Sequence, residues 1–164
     1  MKVSIIGQGY VGLTLAITSA KSGYEVVGFD VNRDLIEDLK NLKSHVEGVS
    51  FTDLQQASYQ PSSDPSSING SDIVVIAVPT PLDENRKPDL KYLIDACQTI
   101  GKHLKNQALI INESTSFPGT LRDLISKQIE EISDLNHLYA ASPERVDPGN
   151  PVWNQTNTPR LVAG

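Results

Sequence analysis

Short apolar runs alternate with amphipathic stretches along most of the chain. The apolar runs are rich in β-branched residues and end at glycine, proline or polar residues, which is typical of strands in a buried sheet. The run at 72–78 (D-I-V-V-I-A-V) is apolar at nearly every position and so predicts a strand covered on both faces. The predicted strands are residues 2–6, 25–30, 58–60, 72–78, 108–112 and 138–141, with a short further candidate at 161–163.

Apolar residues at helical spacing fill most of the intervals between these runs. After the first strand, Leu13, Ala16 and Ile17 fall on one face of a helix predicted over residues 10–21. Further helices are predicted after Asn32, a favourable N-cap, over residues 89–105, and after residues 118–119. Strands separated by helices pair in parallel, because a hairpin cannot join parallel neighbours. The sequence therefore predicts an α/β fold of the Rossmann type, a doubly wound parallel sheet of about six strands with helices on both faces.

Size and charge narrow the class of protein. The 164 residues, 38% of them hydrophobic, suit one domain with a buried core. The net charge of −6 argues against a nucleic-acid partner, since phosphate neutralisation needs clustered Lys and Arg. No apolar run approaches the roughly 18 to 20 residues of a membrane span, and the stretch before Gly7 is too short for a signal peptide. We therefore expect a soluble, cytoplasmic domain that binds neither nucleic acid nor membrane.

The single cysteine and the three histidines indicate neither a disulfide nor a metal site. Cys97 excludes an internal disulfide and falls on the apolar stripe of the helix predicted over residues 89–105, which indicates a core residue. His45, His103 and His137 lack the spacing of metal ligands. We expect no metal site.

A glycine-rich turn follows the first predicted strand. Residues 7–12 (G-Q-G-Y-V-G) have the G-x-G-x-x-G pattern, open a helix, and precede an acid at the end of the second strand, Asp30. This is the context of a dinucleotide-binding fingerprint. Gly7 permits the tight turn, Gly9 clears space for a diphosphate at the helix N-terminus, and Gly12 lets the helix approach the strand. Asp30 can accept hydrogen bonds from ribose hydroxyls and would repel a 2′-phosphate, so NAD is favoured over NADP; Arg33 lies close enough in sequence to soften that preference.

Three later loops each follow a predicted strand, so they face the ligand crevice of such a fold. Thr80, in V-P-T-P-L-D (78–83), is either a cofactor contact or a turn residue. The hydroxyls of E-S-T-S-F-P-G-T (113–120) either cap the next helix or contact a ligand. Glu144 and Arg145, in S-P-E-R-V-D-P-G-N (142–150), form either a surface ion pair or a proton-transfer and anion-binding site.

These four motifs, in this order and spacing, resemble the N-terminal domain of the UDP-glucose/GDP-mannose dehydrogenase family over essentially the whole chain. The forms of the second and fourth motifs look most like the branch that acts on UDP-N-acetylhexosamines. The resemblance implies an NAD-dependent oxidoreductase that oxidises the primary alcohol of a nucleotide sugar to the carboxylate in two steps, for polysaccharide precursor synthesis. In the family a cysteine captures the aldehyde, and water hydrolyses the thioester formed by the second hydride transfer.

The resemblance also assigns roles to individual residues. Thr115 matches a threonine near the nicotinamide that helps hold a water, and Glu144 matches the carboxylate linked to thioester hydrolysis; these two are the candidate catalytic residues. Glu144, Arg145 and Val146 match the strip that touches substrate. The candidate cofactor-binding residues are Gly7, Gly9, Tyr10, Val11, Gly12, Asp30, Arg33, Thr80 and Thr115.

Three departures from the family pattern stand out. Pro148 occupies the position of a second glutamate in several members that act on UDP-glucose, and Leu35 occupies that of a basic residue which follows the ribose acid. The family's catalytic cysteine belongs to a later region, so residues 1–164 are expected to be the NAD-binding domain alone, inactive and monomeric by itself, of an enzyme that forms homo-oligomers. The alternatives are a stand-alone NAD-sensing module and a different Rossmann dehydrogenase.

Overall fold

The computed structural model describes residues 1–55, 58–145, 152–153 and 157–164, and these form one six-stranded sheet in which every strand pair is parallel. The order across the sheet is β3-β2-β1-β4-β5-β6. The order reverses between β1 and β4, so this point is the switch point of a doubly wound sheet. The strands are β1 (Lys2–Ile6), β2 (Glu25–Phe29), β3 (Tyr59–Ser62), β4 (Ile73–Ile76), β5 (Leu109–Asn112) and β6 (Leu138–Ala141).

Helices connect the strands, as the apolar spacing predicts. The α-helices are α1 (Tyr10–Lys21), α2 (Arg33–Lys40), α3 (Phe51–Leu54), α4 (Lys91–His103) and α5 (Ser126–Glu130). The side chain of Asn32 accepts a hydrogen bond from the Leu35 N–H, which confirms it as the N-cap of α2. The α3 helix, a 3₁₀ turn at Pro65–Ile68 and a π-helical turn at Thr120–Ile125 before α5 were not predicted.

Two apolar cores lie on opposite faces of the sheet, because successive strand residues point to opposite sides. On one face, Ile5 and Val75 pack with residues of α1 and α2 that include Leu13 and Ile36. On the other face, the core contains these side chains: Ile6, Val74, Ile76, Leu93, Cys97, Ile100, Ile125 and Ile129. The prediction of helices on both faces, with β4 covered on both, is confirmed.

The last strand candidate is only partly correct. Of residues 161–163, the structure pairs Ala163 alone, through an isolated antiparallel bridge to Ala141. The bridge nevertheless fixes the position of the C-terminal segment, since Ala141 and Ala163 exchange hydrogen bonds of 2.7 and 3.0 Å. None of the helices in the described ranges combines the length and apolar character needed to cross a bilayer.

Candidate functional site

A crevice of about 910 Å³ opens where the strands end at their carboxyl termini. It extends from Asp30, just after β2, past the turn after β1, to the loops after β4, β5 and β6. Of the residues predicted from sequence, the crevice is lined by Gly7, Gly9, Tyr10, Val11, Asp30, Thr80, Thr115 and Glu144. The structure therefore brings eight predicted residues, from five separate segments of the sequence, to one cavity of a size typical of small-molecule sites.

The turn after β1 needs glycine at two positions for steric reasons. Gly7 has a φ of +93°, and a Cβ built on it would lie 2.6 Å from the Ala77 carbonyl oxygen. A Cβ on Gly12 would lie 1.8 Å from the Gly7 carbonyl oxygen. Gly12 is buried rather than on the crevice, so it acts as predicted, by letting α1 pack against the turn.

Gly9 is different, because a Cβ built on it would meet nothing within 4 Å. It is the N-cap of α1, it makes no side-chain cap, and its carbonyl oxygen accepts from the Leu13 N–H at 3.0 Å. The first N–H groups of a helix have no intrahelical acceptor. The start of α1 thus presents bare amides and the positive end of the helix dipole to the open crevice, which suits a diphosphate.

Asp30 is held by backbone N–H groups of the turn after β1 and of its own loop after β2. Its Oδ2 accepts from the Gln8 N–H at 2.7 Å, and its Oδ1 accepts from the Asn32 N–H at 2.9 Å. Each carboxylate oxygen keeps a further lone pair for a ligand hydroxyl. The carboxylate is therefore both fixed in place and able to accept two more hydrogen bonds.

The side chain of Gln8 supports this arrangement, and sequence reasoning missed it. Gln8 is fully buried; its Nε2 donates to the Ile5 carbonyl oxygen at 2.9 Å, and its Oε1 accepts from the Tyr59 hydroxyl at 2.9 Å. A Cβ on Gly28 would lie 2.4 Å from the Gln8 Oε1. Gly28 could have revealed this contact from the sequence, because a glycine inside a strand often marks a place where another group approaches the backbone closely.

Two serine hydroxyls hold the loop after β5, one of them against the loop after β4. Ser114 Oγ donates to the Val78 carbonyl oxygen at 2.8 Å, and Asn112 Nδ2 donates to Ser116 Oγ at 3.1 Å. The alternative that these hydroxyls cap the next helix is wrong, because the helical turn begins after Gly119 with no side-chain cap. Thr115 is left exposed on the crevice, on a loop that the two neighbouring hydroxyls hold in place.

The charged residues beyond β5 and β6 form a bridge that the sequence did not predict. Arg160 pairs through one nitrogen with Glu113 Oε1 and through the other with Glu144 Oε2, the latter at 2.8 Å. Glu144 Oε1 also accepts from the Arg145 N–H at 2.7 Å. Of the two alternatives for Glu144 and Arg145, the side-chain ion pair is absent from the ion pairs of the described residues, where Glu144 instead pairs with the guanidinium of Arg160. Burial lowers the pKa of Arg160 from its usual value, but arginine stays charged at neutral pH.

Helix α4 supplies the crevice wall that sequence reasoning overlooked. Tyr92, Asp95, Ala96 and Thr99 line the cavity at positions i, i+3, i+4 and i+7. These residues lie on the helix face next to the one that packs into the core. Their helical spacing could therefore have predicted a second functional face of α4 from the sequence. Lys91 also lines the crevice, with its ammonium paired with Asp95 at 2.7 Å.

Some predicted residues lie elsewhere. Arg33 and Arg145 are exposed and are not among the lining residues, while Val146 and Pro148 fall outside the described residues. Cys97 is fully buried, and burial raises the pKa of its thiol to about 12, as suits a core residue. Among the residues that the structure describes, no group of three or more His, Cys, Asp or Glu side chains is placed to hold a metal ion.

The sequence of this chain matches one family model and several curated proteins. Residues 1–164 match a family model described as "UDP-glucose/GDP-mannose dehydrogenase family, NAD binding domain". A UDP-N-acetyl-D-glucosamine 6-dehydrogenase from Pseudomonas aeruginosa is 34% identical over 169 residues, which cover 100% of this chain and 40% of that protein. Protein CapL from Staphylococcus aureus is 32% identical, and this chain spans 39% of its length. The chain therefore spans about 40% of these curated relatives.

Solved structures agree with the sequence comparison. An NDP-N-acetyl-D-galactosaminuronic acid dehydrogenase from Methanosarcina mazei Go1 superposes with a TM-score of 0.89 at 30% identity, covering 99% of this chain and 38% of that one. The alignment extends over nearly all of the sheet and helices described above, so the arrangement around the crevice has a close structural counterpart.

Proposed function

We infer that this chain, which belongs to the UDP-glucose/GDP-mannose dehydrogenase family, is the NAD-binding domain of a longer enzyme that oxidises a UDP-sugar. Family membership removes the alternative of a dehydrogenase from another family. The span of about 40% of the curated relatives supports a longer enzyme over a stand-alone sensing module. The observation that carries the cofactor assignment is the fixed Asp30 carboxylate beside the bare N-terminus of α1.

The described residues fit an NAD molecule along the crevice. The open space at Gly9 and the first N–H groups of α1 suit its diphosphate. The free lone pairs of Asp30 suit the two hydroxyls of its adenosine ribose, while a 2′-phosphate there would meet a carboxylate. Gly7, Tyr10 and Val11 are proposed to shape the turn around the diphosphate, and Thr80 and Thr115, which line the same crevice, are proposed to contact the nicotinamide half. The assignment of Arg33 to this site stays a prediction.

The proposed reaction is oxidation of the primary alcohol of a UDP-N-acetylhexosamine, or of UDP-glucose, to the uronate. NAD, when bound, supplies the hydride acceptor. Thr115 and Glu144 are the proposed catalytic residues of this chain, because both lie on the crevice and Glu144 is oriented by Arg160. Glu144, Arg145 and Val146 are proposed to contact substrate. Cys97 cannot act as the nucleophile because it is buried in the core, so that residue must come from another part of the enzyme.

The proposal extends to the position of the substrate, the oligomeric state and the place of action of the full-length enzyme. We propose that the UDP-sugar binds where the crevice meets the rest of the enzyme, that the full-length enzyme is a homo-oligomer, and that it works in the cytoplasm on polysaccharide precursors. Relatives described as UDP-N-acetyl-D-glucosamine and UDP-N-acetyl-D-mannosamine dehydrogenases support the substrate class.

Replacing Asp30 by asparagine tests the cofactor assignment. We expect the affinity for NAD to fall about tenfold or more, and the preference for NAD over NADP to shrink, because the variant loses the charge that binds the ribose diol and repels a 2′-phosphate. Calorimetric titration with both dinucleotides measures both effects. Asp34→Asn makes the same charge change on the exposed start of α2 and should leave both affinities unchanged. Wild-type affinities in Asp30→Asn would contradict the proposal.

A further inference from the structure

Glu113 is a buried carboxylate with one oxygen that finds no donor in the part of the chain that the structure describes. Its side chain is only 2% exposed, and Oε2 has no hydrogen-bond partner among the described residues. Glu113 nevertheless lines the crevice, at the carboxyl end of β5, where its N–H donates to the Ile76 carbonyl oxygen. A buried acceptor without a donor is costly. The residue is therefore placed to meet a group that the crevice receives.

Glu113 shares its guanidinium partner with a second acid. Arg160 pairs with the carboxylates of both Glu113 and Glu144, so its one positive charge is divided between them. Lys91, a cation on the crevice wall, is paired with Asp95. Glu113 therefore places a carboxylate, paired with a shared guanidinium, at this end of the crevice.

The topology places this charge at one end of a bound dinucleotide. Asp30, after β2, lies on one side of the turn after β1, and Glu113, after β5, lies on the other side. In a doubly wound sheet the two halves of a dinucleotide lie across the switch point, one on each half of the sheet. With the adenosine ribose on Asp30, the nicotinamide half extends toward the loops after β4 and β5. The oxidised nicotinamide ring is a cation, whereas the reduced ring is neutral.

We propose that Glu113 is a further cofactor-binding residue, one that Arg160 positions and whose negative charge selects the oxidised over the reduced dinucleotide. This inference rests on the proposed function, since it assumes that the crevice takes NAD. It assigns a role to Glu113, the acid of the 113–120 motif, which has no part in the glycine turn and is not one of the proposed catalytic residues. It also accounts for a guanidinium brought from a distant segment: Arg160 compensates part of the buried charge and fixes the orientation of Glu113.

Glu113→Gln in the full-length protein tests the proposal, because glutamine keeps the shape and an acceptor oxygen but removes the charge. Calorimetric titrations with NAD, NADH and ADP-ribose are compared between variant and wild type. We expect the affinity for NAD to fall about tenfold, as one unit charge at this range allows. NADH has a neutral ring and ADP-ribose has none, so their affinities should change less than twofold. Glu25→Gln, exposed at the opposite end of the sheet, makes the same charge change and should alter none of the three.

The outcomes separate this inference from the proposed function. Equal losses for all three ligands, or no loss for NAD, would overturn the role of Glu113 while leaving NAD binding intact. Wild-type protein that binds none of the three would overturn the proposed function itself. If Glu113→Gln fails to fold, the wild-type protein still decides the matter: tighter binding of NAD than of NADH supports the proposal, and tighter binding of NADH contradicts it.

Discussion

Replacing Gly9 by valine is expected to reduce NAD affinity at least about a hundredfold while leaving the fold intact. Gly9 has a φ of −70° and a ψ of −163°, an extended conformation that valine adopts without strain. Because a Cβ at this position meets no protein atom within 4 Å, the new side chain would project into the crevice. There it would occupy the space in front of the α1 amides that a diphosphate needs.

Calorimetric titration with NAD and thermal unfolding of the same samples measure the two halves of this prediction. Gly9→Ser is the informative companion variant, because serine is a favoured N-cap and should hold or raise the stability of α1 while still weakening binding. A Gly9→Val protein that binds NAD within threefold of wild type would show that the diphosphate does not lie at the start of α1.

Replacing Gly12 by alanine is expected to lower the free energy of unfolding by about 3 kcal/mol. The added Cβ would lie 1.8 Å from the Gly7 carbonyl oxygen, and that oxygen belongs to backbone that cannot move without opening the turn after β1. Glycine to alanine inside a helix normally stabilises by about 1 kcal/mol, so a large loss would identify the steric contact as its cause.

Gly9→Ala is the matched control for Gly12→Ala, since it makes the same change three residues earlier in open space. Denaturant unfolding of both variants gives the comparison, with a loss of no more than about 1 kcal/mol expected for Gly9→Ala. Equal unfolding midpoints for the two variants would contradict the close packing of α1 against the turn.

The regular elements of the fold could be predicted because their signals are local. Apolar spacing identified α1, α2 and α4, and β-branched runs identified β1, β2, β4 and β5, since each element must bury one or both faces. The short α3 helix escaped prediction because it contributes a single buried residue, Leu54, and four residues are too few to show a period. Strand ends were extended too far, as at β4, because proline and polar residues near a strand end do not mark its last hydrogen bond.

The site could be predicted only where a motif encodes backbone geometry. The spacing of the glycines at 7, 9 and 12 and of the acid at the end of β2 predicts a dinucleotide site. This works because the strand, the turn and the helix that form the site are consecutive in sequence. The Glu113–Arg160–Glu144 bridge joins residues 47 and 16 positions apart, so no local period reveals it. Gln8 escaped notice for a related reason, since its Tyr59 partner lies 51 residues away on a different strand.

A crystal structure of the protein with NAD is the most direct test of the central claim, that this crevice binds the dinucleotide. We expect the diphosphate to accept hydrogen bonds from the N–H groups at the start of α1, and the adenosine ribose hydroxyls to donate to Asp30. The nicotinamide half should lie over the loops after β4 and β5. NAD bound elsewhere, or a crevice that stays closed to NAD at saturating concentration, would contradict the account.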